Sequence, residues 1–417
     1  METRQRKHEL VKGDVLVVGV DIGKLEHFAA LRKSGGLVLK VFRFGNDRSG
    51  FQRLAQEVKT WSERLGLCRV VLGIEPTGHY WEPLAYWWED NQGVVVLVNP
   101  MHTNRAKELE DNSPLKSDPK DAEVISGLVA DGKFLECHLP RGNFATLRDL
   151  VMQRSRSCKR EGRLVNQLHQ SVERIFPEIE SAFSSFRVKS CRELLLRYAE
   201  PAKLAQMSVE SLGEMLRKWS HGKLDRARAE KVIELARESV GIREGTQAIN
   251  AEIQRLIRNL QAVEKERESI EYEIKECLEK VPGAALLLSV PDFGAMTVAG
   301  ILAHTGDLSN YQHPDQVIKL AGLNLFEISS GQHKGRVRIT KRGRSQLRKI
   351  VYMASLRASR RCGSLHTYYA RLLGRGVART AALVAVMRKL LRISWALVKK
   401  SQRFDISKLD LNLPRAA

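Results

Sequence analysis

The sequence predicts an α/β domain followed by a long, mainly helical remainder, and three observations carry that prediction. The first third alternates short apolar runs with helical stretches. From about residue 145 the texture becomes long, charged and helical in its apolar spacing, and around residue 281 it turns to a glycine-containing, less charged stretch. A chain of 417 residues also exceeds what one compact domain ordinarily holds. The expected division is 1–144, 145–280, 281–405 and a polar tail over 406–417.

In the first region, residues 15–20 form a continuous apolar run, and 27–32 and 37–44 follow it across turn signals such as Ser34-Gly35-Gly36. These three are expected to form an antiparallel meander. A helix over 48–65 then leads to a strand over 70–74, a helix over 80–91 and a strand over 94–98, which Asn99-Pro100 ends; 118–130 forms a further helix. Strand–helix–strand alternation after a meander implies a mixed sheet covered by helices.

In the middle region, Leu147, Leu150, Val151, Cys158, Val165 and Leu168 recur on one helical face, and Ile253, Leu256, Leu260, Val263, Ile270 and Ile274 on another. An extended helical hairpin or coiled coil is expected, acting as a spacer or dimerisation arm, with extra helices over 188–237 between its limbs. In the last region, Val290-Pro291-Asp292-Phe293-Gly294 ahead of 295–303 reads as a tight turn opening a helix, whose amides can face a phosphate. Two basic amphipathic helices, over 344–361 and 377–400, follow.

Lys and Arg outnumber Asp and Glu by 69 to 48, a formal net charge of +21. Such an excess calls for a polyanion, and nucleic acid is favoured because each phosphate neutralised releases condensed counterions. A membrane partner is not expected, since no long apolar stretch accompanies the basic residues. The first ten residues lack the apolar core of a secretory signal, and six scattered cysteines form no CxxC pair, so reduced thiols, no structural zinc and a cytoplasmic location are expected.

Asp21 directly follows one apolar strand and Glu75 another, so parallel pairing would bring both acids to one sheet edge. Asp118 and Asp121, three apart at the start of a helix, share a face, and Pro119 suits the first helical turn. Four converging carboxylates repel one another unless a divalent cation compensates. Hard oxygen ligands without a histidine pair point to Mg²⁺ or Mn²⁺, the ions with which nucleases and polymerases polarise a phosphate.

Gly19-Val20-Asp21-Ile22-Gly23-Lys24, Ile74-Glu75-Pro76-Thr77-Gly78-His79-Tyr80, Val98-Asn99-Pro100 and Lys116-Ser117-Asp118-Pro119-Lys120-Asp121-Ala122 stand in order along the first third. Val290 to Gly294, Leu320-Ala321-Gly322-Leu323, Ser329-Ser330-Gly331 and Ile339-Thr340-Lys341-Arg342-Gly343 with Leu347-Arg348 follow in the last third. This ordered set resembles the insertion-sequence family 110 transposases, relatives of the Piv and MooV DNA invertases. The resemblance implies an α/β N-terminal RNase H-like (RuvC-like) domain bearing a DEDD acid set, a long helical coiled-coil arm, and a mainly α C-terminal transposase domain. It also implies a catalytic serine, carried here to Ser330 with Ser329 as the alternative, and a noncoding bridge RNA that pairs with target and donor DNA. Gly23 stands where a serine is frequent in the family, Ser117 where a threonine is usual, and the chain is longer than a typical member.

The expected function is therefore a DNA recombinase of the transposase type. Metal ions at Asp21, Glu75, Asp118 and Asp121 would position the scissile phosphate, and Ser330 would attack it to give a phosphoserine link. Arg336, Arg338, Lys341, Arg342, Arg344 and Arg348 surround that serine in sequence and read as a clamp on the nucleic-acid backbone. Acids and serine are far apart in sequence, so a homo-oligomer, dimer or tetramer, is expected. The competing readings are a RuvC-like junction nuclease, which would use the same acids with water as nucleophile, and a sugar-kinase-like phosphotransferase suggested by the Asp21-Ile22-Gly23-Lys24 turn.

Overall fold

A computed structural model describes residues 2–111, 118–327, 329–330, 333–335 and 337–409. The chain divides into two compact units, Met1–Leu139 and Pro140–Ala417.

The first unit runs α1 (Glu2–Val11), β1 (Val15–Asp21), β2 (Glu26–Lys33), β3 (Val38–Gly45), α2 (Arg48–Leu65), β4 (Arg69–Ile74), α3 (Glu82–Asp90), β5 (Val94–Leu97), α4 (Pro100–Asp111), α5 (Asp118–Ala130) and β6 (Leu135–Glu136). Its sheet has the order β3-β2-β1-β4-β5-β6. The three-stranded meander is antiparallel, whereas β1, β4 and β5 run parallel. β1 is central and covered on both faces, which is why its sequence is apolar throughout instead of alternating. On one face Leu16, Val18, Val20, Leu72 and Ile74 pack against Phe51, Leu54 and Val58 of α2 and Leu84, Ala85 and Trp88 of α3. On the other, Val15, Val17, Val71 and Val96 meet Val124, Ile125, Leu128 and Val129 of α5.

Asp47 caps α2 by accepting the Gly50 N–H at 2.7 Å, and Gly66, at φ 65°, ends it in the left-handed conformation. Helix α4 departs from the sequence expectation, which read Asn99-Pro100 only as a strand stop. A proline is tolerated in a first helical turn because its missing N–H has no partner there, and Asn99 Oδ1 accepts the Met101 N–H at 3.0 Å. The same two residues therefore end one element and open the next.

The second unit contains α6 (Asn143–Ile175), α7 (Lys189–Tyr198), α8 (Pro201–Ala205), α9 (Val209–Trp219), α10 (Arg226–Arg237), α11 (Thr246–Glu279), α12 (Ala284–Leu288), α13 (Ala295–Thr305) and α14 (Pro314–Leu320). Four short strands follow, β7 (Leu325–Phe326), β8 (Ser329–Ser330), β9 (His333–Lys334) and β10 (Arg338–Ile339), then α15 (Ser345–Ala358), α16 (His366–Gly374) and α17 (Arg379–Lys399). Helices α6 and α11, of 33 and 34 residues, pack antiparallel. Arg154 bonds Glu271 at 2.8 Å, and Ser157 donates to the Val263 carbonyl at 3.4 Å. The apolar stripe read from the sequence is buried at every position except Cys158, which is half-buried. One end of the pair packs with α7 to α10 around Leu168, Ile175, Ile253 and Ile257; the other joins the C-terminal helices around Leu147, Ile274, Leu302 and Leu390. Among the described residues, no helix is long and apolar enough to cross a membrane.

Candidate functional site

Asp21 is the last residue of β1, and Glu75 directly follows β4. The parallel register aligns Val20 with Ile74, so the next residue on each strand is an acid and both leave the sheet at one edge. Gly19 and Gly73 are also partners in that register. A Cβ at Gly19 would lie 2.3 Å from the Ser126 nitrogen and 2.4 Å from the Ala122 oxygen of α5, and one at Gly73 would lie 2.3 Å from Val129 Cγ2. The two glycines thus let α5 lie directly on the sheet, with Asp118 and Asp121 in its first turn.

The acids occupy unequal environments. Asp121 is only 3 % exposed; its Oδ2 accepts the Lys107 ammonium of α4 at 2.5 Å, while its Oδ1 is buried without a hydrogen-bond partner among the described residues. Glu75 is half-buried beside the Thr77 hydroxyl, at 3.5 Å, and Asp118 is exposed. Asp21 is pushed up to about 6 from an ordinary 3.8, first by burial and then by the negative charges of Asp121, Asp118 and Glu75, with Lys107 opposing. Like-charge repulsion of this kind ties the four residues into one electrostatic site.

The donor set fits a hard divalent cation: every candidate ligand atom is a carboxylate oxygen, Asp21 faces more negative than positive charge, and one buried oxygen lacks a partner among the described residues. Among the described residues, the group of three ligand-bearing side chains whose atoms lie within 4.8 Å of one another is a different one, His169, Glu173 and Glu180. That group is half-buried to exposed, and its histidine already bonds Glu180.

In the second unit, β7 pairs with β10 and encloses the β8–β9 hairpin, in which Ser330 stands opposite His333 and Ser329 opposite Lys334. At the root of this double hairpin the two glycine-bearing motifs cross. Gly322, at φ 67°, accepts the Lys341 N–H at 3.0 Å, and a Cβ there would meet the Lys341 carbonyl carbon at 2.9 Å. Arg338, Lys341 and Arg342 are exposed. Arg344 and Arg348 instead turn inward: Arg344 bonds the His304 carbonyl, and Arg348 bonds the Ala321 carbonyl at 2.9 Å. Arg336 lies outside the described residues.

Sequence reasoning missed Lys107 and the paired glycines. The glycines left a signal, since each stands two residues before an acid on its strand, Gly19 before Asp21 and Gly73 before Glu75. Lys107 left a weaker one: it shares a helical face with Thr103 and Ala106, which are buried and half-buried.

Residues 18–177 match the family profile described as a transposase of the DEDD, IS110 type, and residues 284–370 match that of the IS116/IS110/IS902 transposase family. Among curated proteins, the chain is 26 % identical to a 44.8 kDa protein of insertion element IS116 from Streptomyces clavuligerus, over 94 % of this chain and 96 % of that one. It is 25 % identical to a 42 kDa protein of insertion element IS900 from Mycobacterium paratuberculosis, over 91 % and 95 %. It is 22 % identical to a pilin gene-inverting protein of Moraxella bovis, over 87 % and 89 %.

Proposed function

The chain belongs to the IS116/IS110/IS902 family of transposases, and from that premise we propose that it cuts donor and target DNA at the acid site of its first unit and rejoins them through Ser330. The observation that carries this reading is the convergence of Asp21, Glu75 and the first turn of α5 at one sheet edge, with a buried carboxylate oxygen unpaired among the described residues. The mixed sheet, a meander beside parallel strands that end in acids, supports reading the first unit as an RNase H-like, RuvC-like domain.

Asp21, Glu75, Asp118 and Asp121 would hold Mg²⁺ or Mn²⁺, which supplies Lewis-acid charge to a phosphate. The remaining chemistry belongs to the chain. The Ser330 oxygen bonds to phosphorus as the bond from phosphorus to the leaving strand's sugar oxygen breaks; serine gives up its proton and the leaving oxygen gains one. The phosphoserine bond conserves the energy of the broken one, so attack by the hydroxyl of another strand rejoins DNA and restores serine. Exposed Arg338, Lys341 and Arg342 would hold the backbone near the hairpin.

The wide sequence separation of the acids and the serine supports a homo-oligomer as the working form. A noncoding RNA would choose the sequence by base pairing, in the cytoplasm where donor and target DNA are at hand. The test is a nicked suicide substrate with mass spectrometry of the digested adduct, expected on Ser330. Ser330→Ala should bind DNA and RNA yet give neither cleaved nor exchanged strands. An adduct on Ser329 would move the nucleophile by one residue. Full cleavage by the Ser329→Ala, Ser330→Ala double variant, leaving free phosphate ends, would replace the recombinase with a junction nuclease. Sequencing of copurified RNA tests the guide.

A further inference from the structure

The acid site carries a cation of its own, and the geometry points to Lys107 as a resident counter-ion that a divalent metal must displace from Asp121. This rests on the reading of the four acids as a metal site.

Lys107 arrives from α4, which packs against α5 and directs Thr103, Ala106 and Lys107 to one face. Asn99 and Pro100 fix where that helix begins, and hence the turn on which the lysine stands. Its ammonium lies 2.5 Å from Asp121 Oδ2 with the side chain only 15 % exposed, and it is within electrostatic reach of Asp21. An exposed ion pair would mean little, but here the partner that a nearly dry carboxylate has among the described residues is a lysine.

The pairing is incomplete in two ways. Asp121 Oδ1 remains buried and, among the described residues, unpartnered, so the lysine satisfies one oxygen of two. At Asp21 the negative charges of Asp121, Asp118 and Glu75 are opposed, among the described residues, by the one positive charge of Lys107, which leaves that position short of counter-charge. A divalent ion supplies twice the charge and takes several oxygens at once. Two cations cannot share Asp121 without strong repulsion at such a distance. The flexible four-carbon stem of lysine lets the ammonium withdraw where a guanidinium fork would resist. Lys107 thus holds the metal-free cluster together and sets the free-metal concentration at which the site fills.

The experiment measures Mn²⁺ binding to the full chain, without nucleic acid, by titration calorimetry. Lys107→Met keeps the stem and removes the charge, and it should bind Mn²⁺ about tenfold more tightly than the native chain. Lys107→Arg keeps the charge and should bind no more tightly than native. Equal or weaker binding by a folded Lys107→Met chain would overturn the proposal, because a lysine that merely orients Asp121 would help the metal. Should Lys107→Met fail to fold, the native protein still decides: acetylation of Lys107 by a water-soluble acylating reagent, read by peptide mass spectrometry, should speed up on adding Mn²⁺. An unchanged or slower rate would overturn it. Absence of Mn²⁺ binding by native and variant chains alike would be a separate result, sinking the metal-site reading itself and the lysine's role with it.

Discussion

Gly19 on β1 and Gly73 on β4 face each other in a parallel register, and helix α5 lies against both, so close that a Cβ at either would come 2.3 Å from an atom of α5. Two absent side chains thus determine how near Asp118 and Asp121 come to Asp21 and Glu75.

Gly19→Val should lift α5 from the sheet. Overpacking of this kind costs roughly 1–3 kcal/mol, and the loss of cleavage should exceed what that instability explains, since the acids are drawn apart. Thermal melts and a cleavage assay at a temperature where the variant stays folded check this. Gly162→Ala in α6, where a Cβ would meet nothing within 4 Å, is the control, and it should stabilise by roughly 0.5–1 kcal/mol through helix propensity.

Stability without metal should depend on Asp21. Its folded-state value of about 6 lies above the ordinary 3.8, so the fold favours its protonated form. That contribution is complete below about 4 and is lost as pH rises through about 6. His27 and His304 act oppositely, because burial lowers both from 6.5, and their contribution is lost as pH falls below that value. The informative quantity is therefore the difference between native and Asp21→Asn. The variant should gain melting temperature over native between pH 5 and 7.5, and saturating Mg²⁺ should abolish the gain by stabilising only the native chain. A constant difference across that range would show that Asp21 is not strained by its neighbours.

Glu161 in α6 is 8 % exposed and is bonded by Arg187 and by Arg267 of α11, the latter at 3.2 Å. Glu161→Ala should cost about 1–3 kcal/mol, less than a fully buried pair because both arginines keep some contact with water. Denaturant unfolding checks this, and DNA affinity should not change.

Nucleic-acid affinity should fall steeply with salt, with a log–log slope of several units, as a net charge of +21 implies. Charge reversal at Arg338, Lys341 and Arg342 should weaken binding without altering sequence preference. Reversal at Arg344 or Arg348 should instead lower stability, since these side chains hold the carbonyls of His304 and Ala321. Equal effects of the two sets on binding, with stability intact, would mean that the inward bonds do not persist in solution.

By itself, the sequence determined what depends on neighbours along the chain. Continuous apolar runs located β1, β4 and β5, the 3-and-4 spacing located the buried stripes of α6 and α11, and the placement of Asp21, Glu75, Asp118 and Asp121 after strands and at a helix start marked the candidate site. Periodicity reports which face is covered, because side chains alternate in strands and recur at 3.6 in helices. It does not report what covers that face. Only the tertiary structure decided the strand order β3-β2-β1-β4-β5-β6, the pairing of Gly19 with Gly73, the arrival of Lys107 at Asp121, and which arginines of the C-terminal segment face water and which turn to carbonyls. These are contacts between residues distant in sequence. They are settled by whether a helix can approach a sheet without a Cβ in the way and whether a buried charge finds its opposite, and a local pattern does not say which distant segment will meet it.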